Sequence, residues 1–356
     1  MTRSQPAVVK IAEYIHRNLL WFLVAAYAFA AVLPTAGLWI QGTSLGQFNF
    51  VHETTRFTLP AVLLSILLLN AGLGLGLGQM RHLLHQPAAL WIGLMGNLLI
   101  PIVFILGVSR VMRIWHNPVE IQYILVGLAL IASMPIAGSS TAWSQNADGD
   151  MALSLGLIVL SNFFSPLTTP AVLHGVGWIA SGIYANSLHE LAAGGSGLFL
   201  SLFVLLPSAV GIGIRSVLLA TTGDRLKPGL KLLNSLTLLV LMYSNAAVTL
   251  PQVVARPDWD FLAVMFAIVS LLCAVAFGTG WLIARLLRAN RGQYASLIFG
   301  LGMSNNGMGM VLASTALSYL PNVMLPIIFY NLVQHLVAGL ADRFVLRSDS
   351  GKRRQA

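Results

Sequence analysis

The sequence predicts an all-α polytopic membrane protein with ten transmembrane helices arranged as two inverted five-helix repeats. Hydrophobic residues make up 57% of the 356 positions and charged residues only 9%, whereas a soluble domain carries about 25% charged residues. Ten apolar windows reach the length of roughly 20 residues that a helix needs to cross a bilayer. Two of these windows contain a short polar, glycine-containing break, one in each half of the chain.

The ten windows show helical periodicity and lack the alternating ten-residue strands of a membrane β-barrel. Before the first window, residues 6–19 combine apolar and charged positions as a short interfacial helix does, so we assign 1–19 to a cytoplasmic or interfacial segment. No small-residue cleavage site follows the first window, which indicates an uncleaved helix and not a signal peptide. The windows are 20–40, 58–78, 89–109, 121–147, 150–174, 197–220, 231–251, 261–287, 294–317 and 321–346.

The basic residues are distributed unevenly between the two sides of the membrane. With a cytoplasmic N-terminus and ten spans, sixteen Lys and Arg face the cytoplasm and four face outside, namely Arg56, Arg110, Arg113 and Arg256. This bias follows the positive-inside rule. We therefore predict a multi-pass protein of the inner (cytoplasmic) membrane, with both termini cytoplasmic and a basic tail at 347–356. Topology accounts for the net charge of +9, and we expect no nucleic-acid partner.

The longest connection rich in Gly, Ala and Ser is Ser181–Gly197, and five windows lie on either side of it. An odd number of spans makes the two halves enter the membrane in opposite directions, so a shared fold would be an inverted repeat. Both polar breaks fall in the fourth window of their half, which favours a first repeat at 20–180 and a second at 198–346. The alternative is a coincidence of two Gly-rich helices, because Gly is frequent in membrane helices.

A run of alternating glycines lies at Gly72, Gly74, Gly76 and Gly78 in the second window. It is not a phosphate loop, because no Lys follows it. Small residues let helix backbones approach closely, so we interpret the run as a helix-packing surface.

The acidic residues restrict the chemistry. All eleven lie in loops or near the ends of windows. A cation/proton antiporter working through a buried carboxylate is therefore not expected. A catalytic acid/base pair is also missing from the windows, and we predict that the chain is not an enzyme. The single cysteine, Cys273, excludes a disulfide within the chain and a cysteine metal cluster.

The two breaks are Pro135–Thr141 and Gly302–Gly307. In hydrocarbon an unpaired backbone group costs several kcal/mol, so such breaks occur where protein or a water-filled cavity surrounds them. Unwound helices expose carbonyls that hold cations and N–H groups that attract anions. The breaks therefore predict a ligand site. Scattered polar residues are expected to hydrogen-bond between helices instead; these include Asn162, Asn234 and Asn245.

Two further residues, Trp143 and His335, are candidates for the site. Trp143 follows the first break, whereas most of the tryptophans lie near window ends as in an aromatic belt, so it is a candidate for lining a cavity. His335, beside Gln334 in the tenth window, is equally consistent with a helix-contact histidine and with a binding residue.

At these residues the chain resembles the bile acid:sodium symporter family. The first match begins at Pro135–Thr141, which is similar to the segment where the family's broken helices cross. It continues in Ala147–Ser154 and Ser165–Pro170, which resemble the two family motifs that follow that segment. The second match is Gly302–Gly307, similar to the family's Glu-x-Gly-Met-Gln-Asn-Ser-Gly motif. A weaker match covers Gly72–Pro101.

The resemblance implies that windows 4 and 9 cross at unwound centres. It also implies that windows 1, 2, 6 and 7 form a panel, with windows 3–5 and 8–10 forming a core that moves against it in alternating access. Family members move organic anions such as bile salts or small carboxylates, with Na⁺ as coupling ion and no other cofactor.

The polar breaks, their neighbouring residues and the resemblance together give the candidate site residues. The substrate-binding positions would be Gly138, Ser139, Trp143, Asn305, Asn306, Gln334 and His335. The ion-binding positions would be Asn97, Ser140, Thr141, Ser154, Gly300, Met303 and Ser304.

The chain departs from the family's pattern at the ion sites. Gly300 stands where the family has a glutamate, and Ile158 stands where it has a threonine ligand. Ser304 replaces a glutamine and Thr141 an asparagine. Without the carboxylate no charge offsets the desolvation of Na⁺, and hard cations need several oxygen ligands. We therefore predict weakened or altered Na⁺ coupling.

The predicted function is secondary active transport of an organic anion. The expected partners are this small anion and the lipid bilayer, with no obligatory protein partner. The alternative is a non-transporting membrane receptor or sensor that retains the symporter fold. An arsenite exporter of the neighbouring family is less favoured, because its cysteine is expected in the fourth window and Cys273 lies in the eighth.

Overall fold

The computed structural model describes residues 11, 14–15, 18–50, 53–74, 87–194, 196–217 and 220–343. Most of the predicted segment 1–19, the whole tail 347–356, and Gly76 and Gly78 lie outside the described residues. The chain divides into two compact units, one of Met1–Leu77 with Phe199–Pro257 and one of Gly78–Leu198 with Asp258–Ala356. The first unit contains the windows that the resemblance assigns to the panel, and the second contains those assigned to the core.

The elements of the first half of the chain are α1 (Leu19–Val32), α2 (Thr35–Gly42), β1 (Ser44–Phe50), β2 (Glu53–Thr58), α3 (Leu59–Leu73), α4 (Pro87–Val111), α5 (Pro118–Ser133), α6 (Ser139–Asn146), α7 (Met151–Gly177) and α8 (Gly182–Gly194). A 3₁₀ turn at Met112–Ile114 extends α4.

The elements of the second half are α9 (Ser196–Leu200), α10 (Leu206–Val217), α11 (Ala220–Ala246), α12 (Leu250–Ala255), α13 (Trp259–Leu286), α14 (Arg291–Gly302), α15 (Asn306–Ala316) and α16 (Leu325–Ala341). A π turn at Ser201–Leu205 joins α9 to α10, and a 3₁₀ turn at Pro321–Met324 precedes α16.

Helices of membrane-spanning length account for much of the described chain. Within it, five helices are long and apolar enough to cross a bilayer: α4, α7, the continuous α9–α10, α13 and α16. The count becomes six if α1 and α2, which are bent by 91° relative to each other, form one span. Helices α3 and α5 are shorter but apolar. The helical membrane class predicted from composition is therefore observed.

A β-hairpin between α2 and α3 was not predicted. Strands β1 and β2 pair antiparallel, with Phe48 opposite Thr55 and a bulge between Ser44 and Gly46. Alternating Phe and polar residues in β1 and the threonines of β2 suit a pleated strand. Such a segment does not form a long apolar window, because neither strand is apolar enough to span a membrane.

In the first unit, α3 and α10 touch through their backbones. A Cβ atom on Gly72 would lie 2.3 Å from the Ser208 carbonyl oxygen, and one on Gly211 would lie 2.2 Å from the Leu69 carbonyl oxygen. Side chains do not fit at such distances, so these glycines permit the contact. Gly72 therefore has the packing role that the sequence indicated.

In the second unit, α5 is enclosed by protein. Every residue from Ile124 to Ser133 is buried, and α5 packs against α4, α7 and α16. Helix α13 packs against α4, α14 and α16. A helix that is apolar on all sides belongs in such an interior. Helix α5 and the second half of α14, each of which leads into a break, are thus enclosed by other helices of the same unit.

Candidate functional site

The first break, Met134–Gly138, lies between α5 and α6. Pro135 has no backbone N–H, and its ring disfavours helical geometry in the residue before it. Met134 is accordingly extended, with φ −79° and ψ 143°. The proline thus ends α5, and helical structure resumes at Ser139.

The second break, Met303–Asn305, lies between α14 and α15. Met303 is extended, with φ −120° and ψ 111°. Asn305 then caps α15, because its side-chain oxygen accepts a hydrogen bond from the Met308 N–H at 3.3 Å. Asn is among the preferred N-cap residues. The Asn305 side chain, predicted to bind substrate, therefore also starts a helix.

The two breaks pair with each other as short antiparallel β-segments, with Ile136 opposite Ser304. The Ala137 N–H donates to the Met303 carbonyl at 2.9 Å, and the Asn305 N–H donates to the Pro135 carbonyl at 2.9 Å. We call the segments Pro135–Ala137 and Met303–Asn305 the crossing. The resemblance implied that the broken helices cross, and the structure adds that backbone hydrogen bonds join them there.

The central residue of each break is hydrogen-bonded to a helix that comes later in the same half of the chain. Ser161 of α7 accepts a hydrogen bond from the Ile136 N–H at 3.1 Å. Gln334 of α16 accepts one from the Ser304 N–H at 3.1 Å. Tyr330 of α16 donates to the Gly302 carbonyl at 3.3 Å. These contacts satisfy backbone groups that would be costly if left unpaired inside a membrane.

The hydrogen bonds reduce what the second break can offer a cation. The carbonyls of Gly302 and Met303 each accept one hydrogen bond, from Tyr330 and Ala137. A carbonyl oxygen has two lone pairs, so Met303 retains one for a further donor or ion. Gln334, predicted to bind substrate, is buried and also donates to Asn331 at 3.2 Å. Its role within the structure is to brace the second break.

Three buried polar side chains near the crossing lack a hydrogen-bond partner among the described residues. They are the hydroxyls of Ser140 and Ser154 and the amide of Asn306, of which neither the nitrogen nor the oxygen is bonded. The two serines are fully buried and Asn306 is 1% exposed. Buried polar groups usually have partners, so these three are the strongest candidates for contacts with a ligand.

Gly300 lies in α14 against the apolar side of α7. A Cβ atom at Gly300 would lie 3.0 Å from a terminal methyl group of Leu157. Leu157 and Ile158 belong to a buried apolar cluster that also includes Ile136, Leu297 and Leu301. The positions where the resemblance places a glutamate and a threonine ligand therefore carry no side-chain oxygen and adjoin hydrocarbon.

Asn97 lies on the wall of a cavity of about 200 Å³ between α4, the end of α5 and α7. The cavity wall is mostly apolar and includes Trp91, Met95 and Phe164. Pro135 of the crossing also lines it. Asn97 is half-buried and lines this cavity. Its ion-binding role stays a prediction.

The other predicted residues lie around the start of α6 and on α16. Gly138 is exposed and Ser139 half-buried, and the Thr141 hydroxyl donates to the Gly138 carbonyl at 2.7 Å. The ring of Trp143 stacks on Phe299 of α14, with centroids 5.9 Å apart and planes at 25°. His335 is half-buried. Trp143 thus links α6 to α14, next to Gly300.

Two residues that support the crossing, Ser161 and Tyr330, were not predicted. Ser161 follows Ser154 by two helical turns, so the two lie on one face of α7. Tyr330 precedes Gln334 by about one turn on α16. The signal in the sequence that could have indicated them is their helical spacing from the predicted residues Ser154 and Gln334. It was weak, because nothing in the sequence says which face meets the break.

Two helix N-termini begin beside the crossing. Helix α6 begins at Ser139 and α15 at Asn306, each directly after its break. The first N–H groups of a helix lack intrahelical partners, and the helix dipole makes this end positive. No acidic residue occurs in the first turn of either helix. The crossing therefore provides positive potential from backbone groups.

The comparison with known proteins now identifies the family. The model of the sodium bile acid symporter family matches residues 61–256, more than half of the chain. The chain belongs to the sodium bile acid symporter family. This confirms the family prediction, and it makes the chain a multi-pass membrane protein of a transporter family.

Two relatives from Bacillus subtilis (strain 168) are similar along nearly their whole length. An uncharacterized sodium-dependent transporter, YocS, is 24% identical over 326 residues, which cover 90% of this chain and 94% of YocS. An uncharacterized protein, YbaS, is 22% identical over 317 residues, which cover 86% of this chain and 95% of YbaS.

Proposed function

We propose that this family member is a secondary active transporter of an organic anion, which it binds at the crossing. The observation that carries the proposal is the buried, unpartnered amide of Asn306 at the N-terminus of α15, beside the paired breaks. Its NH₂ group is a donor suited to a carboxylate oxygen. The N–H groups of Ser140, Thr141, Asn306 and Met308 are already bonded within the chain, so the backbone adds the positive ends of two helix dipoles and not a set of free donors.

Charge supports an anion as substrate. No acidic residue lies within either break, and the two helix dipoles direct their positive ends to the crossing. An anion is therefore favoured there even though no Lys or Arg lies within the breaks. A bile-salt-like molecule or a small carboxylate, the substrates that the resemblance implies, has the required group.

We propose that Na⁺ coupling is weak in this chain. The unbonded side-chain oxygens near the crossing are the hydroxyls of Ser140 and Ser154 and the amide oxygen of Asn306. Gly300 and Ile158 supply none. Neutral oxygens without a carboxylate offset less of the desolvation of a cation, which amounts to several kcal/mol per ion. The description of YocS as sodium-dependent supports a sodium-linked ancestry of this site.

We further propose ten spans in two inverted repeats, 20–180 and 198–346, with both termini in the cytoplasm of an inner-membrane protein. The hydrogen bonds of the crossing support the repeat. Ile136 and Ser304 are opposite each other. Each donates its N–H to a side chain of the unbroken helix that comes next in its own half, α7 for Ile136 and α16 for Ser304. This is the correspondence that two related halves would show.

The experiment is a binding screen followed by uptake. The purified chain is screened by thermal shift against bile salts and small carboxylates, and the best ligand is radiolabelled for uptake into proteoliposomes. In the variant Asn306→Ala the anion should bind about tenfold more weakly, as expected for a lost hydrogen bond of about 1.4 kcal/mol. Asn306→Asp should bind more weakly still, because it places a carboxylate against an anion.

The matched control is Asn186→Ala, which makes the same substitution at an exposed position in α8 and should leave binding unchanged. If no anion of the panel binds or is taken up, the transporter proposal for organic anions is wrong. If an anion binds equally well to Asn306→Ala and to the parent chain, the site lies elsewhere than the crossing.

A further inference from the structure

A pair of histidines lies at the end of α7, away from the crossing. The Nδ1 atoms of His174 in α7 and His189 in α8 are 2.9 Å apart. Their ring centroids are separated by 4.5 Å, and Trp178 lies edge-on to both rings at 5.7 and 5.4 Å. His174 is exposed and His189 half-buried. Nothing in the proposed transport function uses this group.

The fold holds the two rings together tightly. The ring of His189 lies directly on the backbone of Gly177, where an added Cβ atom would be 2.6 Å from its Cε1 atom. A larger residue at position 177 would therefore displace the imidazole. Helix α8 packs along α7, so the two rings approach each other from packed helices and not from free loops. The packing of the two helices therefore places both nitrogens close together before any ion binds.

We propose that His174 and His189 form a chelating site for a divalent transition metal ion, with Cu²⁺ preferred. Imidazole nitrogen is a ligand for Cu, Zn and Ni, and for a given site affinity among the first-row divalent ions peaks at Cu²⁺. Each Nδ1 has to be unprotonated to bind a metal. The metal ion would displace the proton of the hydrogen bond and lie off the line between the two nitrogens, with small rotations of the rings turning both lone pairs towards it.

The separation of the nitrogens favours one geometry. With metal–nitrogen bonds of about 2.0–2.1 Å, two nitrogens 2.9 Å apart subtend about 90° at the metal. This is the angle between neighbouring ligands in the tetragonal coordination of Cu²⁺ and Ni²⁺. The tetrahedral angle of a structural Zn²⁺ site would need nitrogens about 3.3 Å apart.

Water would complete the coordination. No group of three or more His, Cys, Asp or Glu side chains suited to a metal occurs among the described residues. His174 is exposed and Trp178 is 76% exposed, so solvent reaches the pair. The site would therefore bind metal reversibly and tie the end of α7 to α8 while it is occupied.

The test is a Cu²⁺ titration of the full chain purified without a histidine tag, followed by electron paramagnetic resonance and by tryptophan fluorescence. One Cu²⁺ per chain should bind with nitrogen hyperfine structure, and Ni²⁺ and Zn²⁺ should bind more weakly. His174→Gln and His189→Gln should each weaken Cu²⁺ binding by about tenfold or more, since even the loss of an outer-shell partner costs 10–100-fold. Lowering the pH should weaken binding, because protons compete for both nitrogens.

Two further variants separate this result from misfolding and from adventitious binding. Trp178→Phe should keep the resonance signal and lose most of the fluorescence quenching, because Trp178 is the indole beside both rings. His116→Gln, at an exposed histidine next to Asp260, should bind Cu²⁺ like the parent chain. The proposal is overturned if the parent chain shows no stoichiometric nitrogen-bound Cu²⁺, or if both variants of the pair bind it as tightly as the parent.

Discussion

At the residue scale, Gly300 and Leu157 determine what the crossing can hold. Leu157 packs where a side chain at position 300 would begin, since a Cβ atom added to Gly300 would lie 3.0 Å from a terminal methyl group of Leu157. Ile158 beside it continues the apolar surface. An ion site that needs charge at this point would have to displace packed hydrocarbon. The unpartnered hydroxyls of Ser140 and Ser154 remain as oxygens, and they suit a neutral or weakly held occupant.

Alanine substitutions at two glycines of α14 should differ in their effect on stability. In Gly302→Ala the new methyl group would lie 2.3–2.5 Å from three ring atoms of Phe277, whereas in Gly300→Ala it meets one flexible methyl group of Leu157. Overpacking of this kind destabilises by about 1–3 kcal/mol. Gly302→Ala should therefore lower the apparent Tm in detergent clearly more than Gly300→Ala. Equal Tm values would show that Phe277 moves freely.

At the element scale, the breaks are stabilised by the helices that follow them. Polar residues and proline inside apolar windows were sufficient to predict where α5–α6 and α14–α15 are interrupted. The pairing of Ile136 with Ser304 was not predictable in this detail, because it joins residues far apart in the chain. The roles of Ser161 and Tyr330 depend on which face of α7 and α16 meets a break. The β-hairpin was not predicted for a different reason, because its short strands of polar and aromatic residues are not apolar enough to form a membrane window.

Removing the Ser161 hydroxyl should loosen the first break. In Ser161→Ala the buried Ile136 N–H loses its partner at 3.1 Å, and an unsatisfied buried donor costs about 1–3 kcal/mol. Hydrogen–deuterium exchange should therefore become faster at the Ile136 amide, with a lower apparent Tm.

Ser165→Ala is the matched control on the same helix. The Ser165 hydroxyl donates only to the Asn162 carbonyl of its own helix at 2.8 Å, so exchange at the break should stay as in the parent chain. If Ser161→Ala and Ser165→Ala exchange alike at Ile136, α7 does not hold the break.

At the scale of the whole molecule, composition and charge asymmetry were sufficient to predict a helical membrane protein, and ordered motifs were sufficient to predict its family. The two compact units each draw one segment from each half of the chain, an arrangement that the family resemblance implied and that periodicity and composition do not reveal. Substrate identity depends on the shape of the binding site, which results from the packing of many side chains and is not encoded in any single motif.

The proposed topology can be tested by cysteine labelling, because Cys273 is fully buried. Burial keeps aqueous reagents from its thiol, so the parent chain should react slowly with a membrane-impermeant maleimide. In intact cells Ser181→Cys, before α8, should be labelled from outside. Arg291→Cys, at the start of α14, should be labelled only after permeabilisation. Both positions are exposed. The reverse pattern would contradict cytoplasmic termini.

Anion uptake into proteoliposomes, with external Na⁺ replaced by K⁺ or choline, shows directly whether transport depends on a complete ion site. We expect uptake by the parent chain to change little. The triple variant Gly300→Glu, Ile158→Thr and Leu157→Ala restores a carboxylate and a hydroxyl where the family has them and removes the side chain that fills the space beside Gly300. It should become more dependent on Na⁺. Steep Na⁺ dependence of the parent chain, abolished when Na⁺ is replaced, would contradict the claim that its ion site is incomplete.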